Sequence, residues 1–234
     1  MAEEKEKLNI NIDTEEMARA GLHFGHRVSK IHPKMKPYLY GTKNTVHIID
    51  LEKTKENLLA ALGFVRDLIS QNKILLLVGT KIQTKELVRD TAKECGLFYV
   101  SERWLGGTIT NFASIYKRIE HYRDLEQKKA AGELEKYTKK EKLGFDEELA
   151  ELERKFGGIK ELNRTPDAVF VCDMKKDFLA AKEARAKGVK VIGICDTNID
   201  PTMADYPIPA SDDAASSVKY ILDKLKETVL KAKA

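Results

Sequence analysis

The segment HFGHRVSKIHPKMKPYLYGTKN, His23 to Asn44, holds three histidines, one arginine and four lysines and no acid. Two chemistries fit those residue types. His23-x-x-His26 has the spacing of half a zinc site. No matching Cys or His pair lies nearby, His32 is a weak third candidate, and His121 sits in a distant charge-dense region, so a four-ligand structural site is not supported. A smaller ion site remains open: Asp196 ends an apolar run and Asp212 opens a helix, and both can meet His26 if those runs share one sheet edge. The plain alternative makes His23 a helix-end donor to free carbonyls and the aspartates turn caps.

The second chemistry is phosphate binding. No Asp or Glu occurs between Met17 and Ile49, and one-sign segments of this kind favour interaction surfaces. Arg27, Lys30, His32, Lys34, Lys36 and Lys43 are the candidate contacts. Pro33 and Pro37 keep the chain from forming a regular helix, and Tyr38 and Tyr40 interleave with the cations. Spaced cations on a stiff segment suit a folded phosphate backbone; the alternative is a basic, solvated loop. Arg103-Trp104-Leu105-Gly106-Gly107-Thr108 adds a second candidate, because amides at a helix start bind phosphate and Arg103 adds charge. It reads equally as a tight connection with Trp104 packed inside. Lys117 and Arg118 open a charge-dense stretch in which acids offset many of the cations.

These residues need a scaffold. KILLLVGT (73–80), LFYV (97–100), DAVFVCD (167–173) and VKVIGICD (189–196) are apolar runs alternating with helical patterns, as in parallel sheets covered on both faces. TVHIID (45–50) reads as a further strand, and YPIPA (206–210) as a short edge strand whose prolines cannot donate to a ladder. From Ile115 to Leu125 and again from Leu149 to Phe156, apolar residues recur at helical spacing in a polar background, with a capping box at Thr138 and Glu141. The expectation is a doubly wound α/β domain with a parallel sheet of about five strands and a coiled-coil helical hairpin inserted between the third and fourth. The domain covers 14–112 and 161–230, the hairpin 113–160, a loose segment 1–13 and a basic tail 231–234.

Such a sheet raises the prospect of a nucleotide-dependent enzyme, which is kept as the alternative function. The glycines that let a backbone cradle a pyrophosphate are missing: VGTKIQTK has one glycine at the wrong spacing, and no G-x-S-x-G nucleophile turn occurs. No catalytic residue and no small-molecule substrate is assigned. With 41 Lys and Arg against 37 Asp and Glu, the net charge of +4 is only mildly basic, so the distribution of charge carries more than its sum. Cys95, Cys172 and Cys195 are odd in number and far apart, and read as small buried hydrophobes in a reducing compartment. The N-terminus is too polar for a signal peptide and no apolar run approaches a membrane span, so a cytoplasmic protein without a membrane partner is expected.

AGLHFGHRVSKIHPKMKPYLYGTKNTVHIIDLEKT, RWLGGTITN, FGGIKELNRTPDAVFVCD and GICDTNIDP, in this order, closely resemble the bacterial small-subunit ribosomal protein two family over about residues 14–230. The resemblance implies a flavodoxin-like sheet with a coiled-coil hairpin in the small (30S) ribosomal subunit, between head and body. It implies 16S rRNA and neighbouring small-subunit proteins as partners, including the large messenger-binding protein where a lineage has one. It also implies a zinc ion near the second histidine of HFGH and the strand-end aspartates, which here are His26, Asp196 and Asp212. It implies no catalysis.

Overall fold

The computed structural model describes residues 11–233, so the loose segment expected over 1–13 falls outside the described residues except at 11–13. The first helix, α1 (Thr14–Arg19), starts where the Asp13 carboxylate accepts the Glu15 amide, the usual service of an N-cap. A small antiparallel sheet follows, built from β1 (Phe24–Arg27), β2 (Leu39–Lys43) and β3 (Val46–Ile49) in the order β1-β3-β2. The sequence predicts only β3 of these. FGHR and LYGTK show no apolar alternation because most of their residues face solvent. Asn44 and Thr45 both take positive φ, 49° and 64°, which suits the tight turn joining two twisted strands. Between β1 and β2 the chain makes two 3-10 turns, Val28–Lys30 and Pro33–Tyr38, the second anchored by fully buried Met35.

The body then runs α2 (Leu51–Ser70), β4 (Leu75–Val78), α3 (Lys85–Cys95), β5 (Phe98–Val100), α4 (Phe112–Ala130), α5 (Lys139–Phe156), β6 (Ala168–Val171), α6 (Phe178–Ala186), β7 (Lys190–Cys195), β8 (Tyr206–Pro209) and α7 (Ala215–Lys233). The five strands β5-β4-β6-β7-β8 are all parallel. The expected number of strands stands but their membership differs: TVHIID belongs to the small sheet, and YPIP completes the large one. With Pro207 and Pro209, β8 lies at an edge, where missing donors cost least. Alternate residues serve two cores. Leu75, Leu77, Phe170, Ile192 and Ile194 pack with α2, α3 and α7. Leu76, Val78, Val169, Val171 and Val191 pack with α6, Trp104 and the base of the α4–α5 hairpin.

Chain order reverses between β4 and β6, which puts a switch point at their carboxyl ends. The α4–α5 hairpin is spliced into the β5–β6 connection. Its seam buries Ile115, Ile119, Tyr122 and Leu125 against Leu149, Leu152 and Phe156. Thr138 and Glu141 form the expected capping box at the start of α5. On the return, Gly158 lies so close to β5 that a Cβ there would run into the Tyr99 carbonyl.

Candidate nucleic-acid interface and carboxyl-edge cluster

The small sheet and its turns hold the basic segment against the carboxyl end of the large sheet. His26 N–H donates to Thr197 Oγ1 at 2.9 Å, and His32 N–H donates to the Thr197 carbonyl at 2.8 Å. Gly25 leaves room for this contact, since a Cβ there would meet the Thr197 methyl. Paired residues share a face of an antiparallel sheet. Arg27 and Lys43 both face Val46, and Phe24 and Gly41 both face Ile48, while His47 and Ile49 turn inward and are buried. The outer face therefore carries Phe24, Arg27 and Lys43.

Of the candidate contacts, Arg27, Lys30, Lys36 and Lys43 are exposed and, among the described residues, make no ion pair. Lys34 differs. Its Nζ donates to Asp200 Oδ2 at 2.7 Å and to Thr202 Oγ1 at 3.0 Å, so it ties the segment to the loop after β7. The Lys34 ammonium and the Thr202 donors hold the Asp200 carboxyl far below its ordinary range. His32 is half-buried and caps the Pro33–Tyr38 turn by accepting the Lys34 amide on Nδ1. Arg103 is exposed after β5, and Lys117 and Arg118 are exposed on α4; these three belong to other elements than the basic segment.

Carboxylates converge beneath it. His26 Nδ1 lies 3.0 Å from Asp196 Oδ2, without the alignment of a hydrogen bond, and Nε2 lies 3.5 Å from Asp213 Oδ2 and 2.8 Å from Asn198 Nδ2. Asp212, expected as a ligand, is not in this group. Its buried carboxylate faces Lys81 Nζ at 3.0 Å, and the adjacent, more exposed Asp213 takes its place beside His26. Successive residues in a loop point apart, and sequence offered no means of choosing between the two. Lys81 also reaches Asp173 at 3.2 Å and Asp213 at 2.6 Å. The Asp196 carboxylate, with help from Asp213 and Asp212, raises the His26 pKa against the effect of burial. Burial, together with Asp173 and Asp196, pushes Asp212 up to about 7 despite Lys81.

His26, Asp196 and Asp213 could together hold a metal ion. One imidazole nitrogen and two carboxylate oxygens suit a borderline divalent cation. His26 Nδ1 and Asn198 Oδ1 are buried here without a hydrogen-bond partner, which also fits that use.

In two loops at the carboxyl edge of the sheet the protein's own acids take up backbone amides. At the switch point, buried Asp177 accepts from Thr80 N–H at 3.1 Å and from Thr80 Oγ1 at 2.8 Å. In the RWLGGTIT loop, buried Glu183 accepts on Oε1 from Trp104 Nε1 at 3.3 Å and Gly107 N–H at 2.8 Å. Its Oε2 accepts from Ile109 N–H at 3.1 Å and from Thr110 N–H and Oγ1 at 3.2 and 3.1 Å. Burial alone would raise the Glu183 pKa, but these donors outweigh it and hold the carboxyl below its ordinary value. The loop amides are thus occupied, and the connection reading with Trp104 packed inside is the one realised. Sequence reasoning missed Asp177, Glu183, Lys81 and Asp213. For Glu183 a signal existed: it follows Ala180 by three residues and precedes Ala184 on the apolar face of α6, where an acid needs partners.

The family described as Ribosomal protein S2 matches residues 17–232. Similar curated proteins carry the name small ribosomal subunit protein uS2. One from Dehalococcoides mccartyi is 42% identical over 217 residues, 93% of this chain and 89% of that protein. One from a Roseiflexus species is 42% identical over 214 residues, 92% and 82% of the two chains. A third, from Coprothermobacter proteolyticus, is 41% identical over 222 residues, 95% and 83%.

Proposed function

The chain belongs to the ribosomal protein S2 family, and from that premise we propose that it is a structural constituent of the small ribosomal subunit that binds 16S rRNA. Neighbouring small-subunit proteins are its other partners, among them the large messenger-binding protein where one is present. The observation that carries the reading is the set Arg27, Lys30, Lys36 and Lys43. Among the described residues these four cations stand exposed and without an ion pair within one acid-free stretch of sequence, whereas Lys81, Lys129 and Lys190 lie against the chain's own acids, and other exposed cations without an ion pair, such as Lys117 and Arg118, sit in a stretch rich in acids. Unpaired cations on a rigid surface gain from phosphate contact by releasing condensed counter-ions. Arg103, Lys117 and Arg118 extend the contact on other elements. Lys34 and His32 position the segment through Asp200 and Thr197 rather than serving as free contacts. Catalysis has no part in this reading: Asp177 and Glu183 occupy the Thr80, Gly107, Ile109 and Thr110 amides at the carboxyl edge of the sheet.

Changing Arg27, Lys30, Lys36 and Lys43 together to Glu is expected to remove the protein from the small-subunit peak of a sucrose gradient while its unfolding curve stays cooperative. Normal incorporation of that variant would overturn the reading. We further infer that the ion suited to His26, Asp196 and Asp213 is zinc, since an imidazole and two carboxylates match its ligand types. Metal analysis of the purified chain is expected to find zinc in the wild type and to lose it in His26→Ala. No bound metal in the wild type would remove the ion and leave the rRNA reading untouched.

A further inference from the structure

Ile82, Phe178 and Leu179 are exposed, at 80, 40 and 45% of their free surface, at the carboxyl edge of the large sheet. Helix packing gives them no reason to be apolar. Phe178 and Leu179 are the first two residues of α6, whose buried residues are Ala180, Ala181, Glu183 and Ala184. The first turn of a helix ordinarily carries polar or acidic residues. Ile82 lies in the turn ahead of α3, two residues before its N-cap Thr84. The loops after β4 and β6 are tied together. Asp177 takes the Thr80 amide and hydroxyl, and Lys176 Nζ donates to the Thr80 carbonyl at 3.0 Å. Leu179 Cδ2 lies 3.9 Å from the place a Cβ would take on Gly106, so the RWLGGTIT loop borders α6 here. Glu183 fastens that loop in turn. The backbone that presents the three apolar side chains is therefore fixed.

The charge around them is positive. Lys175, Lys182 and Arg103 are exposed and, among the described residues, make no ion pair. Lys182 follows Leu179 by three residues and Phe178 by four, which sets it on their side of the helix. The acids of these loops are turned inward: Asp173, Asp177 and Glu183 are buried and accept from backbone amides. On the α3 side Glu102 is held by Lys85 at 3.0 Å, and Glu86 is exposed without an ion pair among the described residues. Two classes of macromolecule answer such charge, and the aliphatic side chains separate them. RNA would take the cations through phosphate and a ring through stacking, but Ile82 and Leu179 offer it neither charge nor ring. Apolar side chains with cations around them have the anatomy of a protein interface, an apolar core and a polar rim. The sign of the rim sets the sign of the partner.

We propose that this edge docks an acidic segment of a second protein, which sets apolar side chains against Ile82, Phe178 and Leu179 while its Asp and Glu meet Lys175, Lys182 and Arg103. The crevice where doubly wound sheets take small molecules is bridged here by Thr80 and Asp177, and its rim serves a protein instead. None of these residues belongs to the acid-free stretch that carries the rRNA reading. The docking site rests on that reading only for where the partner is found, in the small subunit.

The test uses the full chain, tagged, with the photo-crosslinking residue p-benzoylphenylalanine in place of Phe178. Intact cells are irradiated, the chain is captured, and mass spectrometry of the digest identifies what lies against that face. The expected product is a peptide of another protein in which Asp and Glu outnumber Lys and Arg and apolar residues lie among them. Lys175→Glu with Lys182→Glu is expected to lower its yield at least about fivefold, and Ile82→Ser with Leu179→Ser to do the same. All four side chains are exposed, so both double variants should keep the wild-type unfolding midpoint, and a lost crosslink is not a lost fold. A crosslink to RNA, a crosslink to a peptide rich in Lys and Arg, a yield unchanged by either pair of substitutions, or no crosslink would overturn the docking site. The rRNA reading is judged separately, by whether the chain sediments with small subunits on a sucrose gradient, so each can fail while the other stands.

Discussion

Glu183 is a single residue whose loss should be felt across the hairpin base. Its two oxygens receive three backbone amides, an indole and a hydroxyl, and removing a buried acceptor leaves each donor unpaired. Glu183→Ala is expected to lower stability by about 3 kcal/mol or more, measured as the shift of the urea midpoint at constant slope. A loss below about 1 kcal/mol would mean that water takes over the donors at little cost. Individual residues were the least legible scale in the sequence. His26 and Asp196 were found because one follows a glycine in a compact motif and the other ends an apolar run. Asp212 was expected beside His26 where Asp213 stands, because two adjacent acids are equivalent until a backbone points them apart. The partners of Glu183 and Asp177 are mostly backbone amides more than 70 residues away in sequence, and backbone donors leave no trace in side-chain identity; for Glu183 the signal was its place on the apolar face of α6.

At the scale of elements, periodicity was a good guide where one face is buried and a poor one where both are wet. The parallel strands and the seam of α4 and α5 were legible from their apolar residues. β1 and β2 were not, because exposed strands carry the residues of the surface they present. The glycines of the hairpin separate the two situations. Gly158 touches the Tyr99 carbonyl through its missing Cβ, whereas Gly144 inside α5 has open space around it. Gly158→Ala is expected to cost about 2 kcal/mol through overpacking against a backbone that cannot yield. Gly144→Ala is expected to stabilise by about 0.5–1 kcal/mol by restricting the unfolded chain. Chemical denaturation of the two variants side by side checks both signs, and equal effects would show that the hairpin return does not rest on β5.

The whole molecule gathers its titrating groups at one end of the sheet, and this gives stability a shape against pH. Asp212, held up to about 7 by burial and by Asp173 and Asp196, keeps a proton in the folded state over a range where the unfolded carboxyl, near 3.8, has lost it. The native state then binds more protons than the unfolded one, so stability falls as pH rises from about 4 to about 7. His26, raised by Asp196, acts in the same direction: its contribution is full below its unfolded value and is lost as pH rises through its folded one. Glu183 and Asp205, lowered by their donors once burial is outweighed, and Asp213, lowered first by Lys81, act oppositely. Their contributions are present above the ordinary carboxylate range and are lost as pH falls through the depressed values. The urea midpoint should therefore pass through a maximum at about pH 4–5 and decline toward neutrality by the equivalent of about 2–4 kcal/mol for Asp212 alone. Asp212→Asn should flatten that decline, since Lys81 keeps Asp173 and Asp213 as partners while the costly buried charge is gone. A wild-type curve that rises from pH 5 to pH 8 in metal-free buffer would contradict this assignment. Zinc added at neutral pH should raise the midpoint more than zinc added at pH 5, because the ion needs His26 without its proton. The same edge of the sheet would then hold either protons or a cation beneath the basic segment.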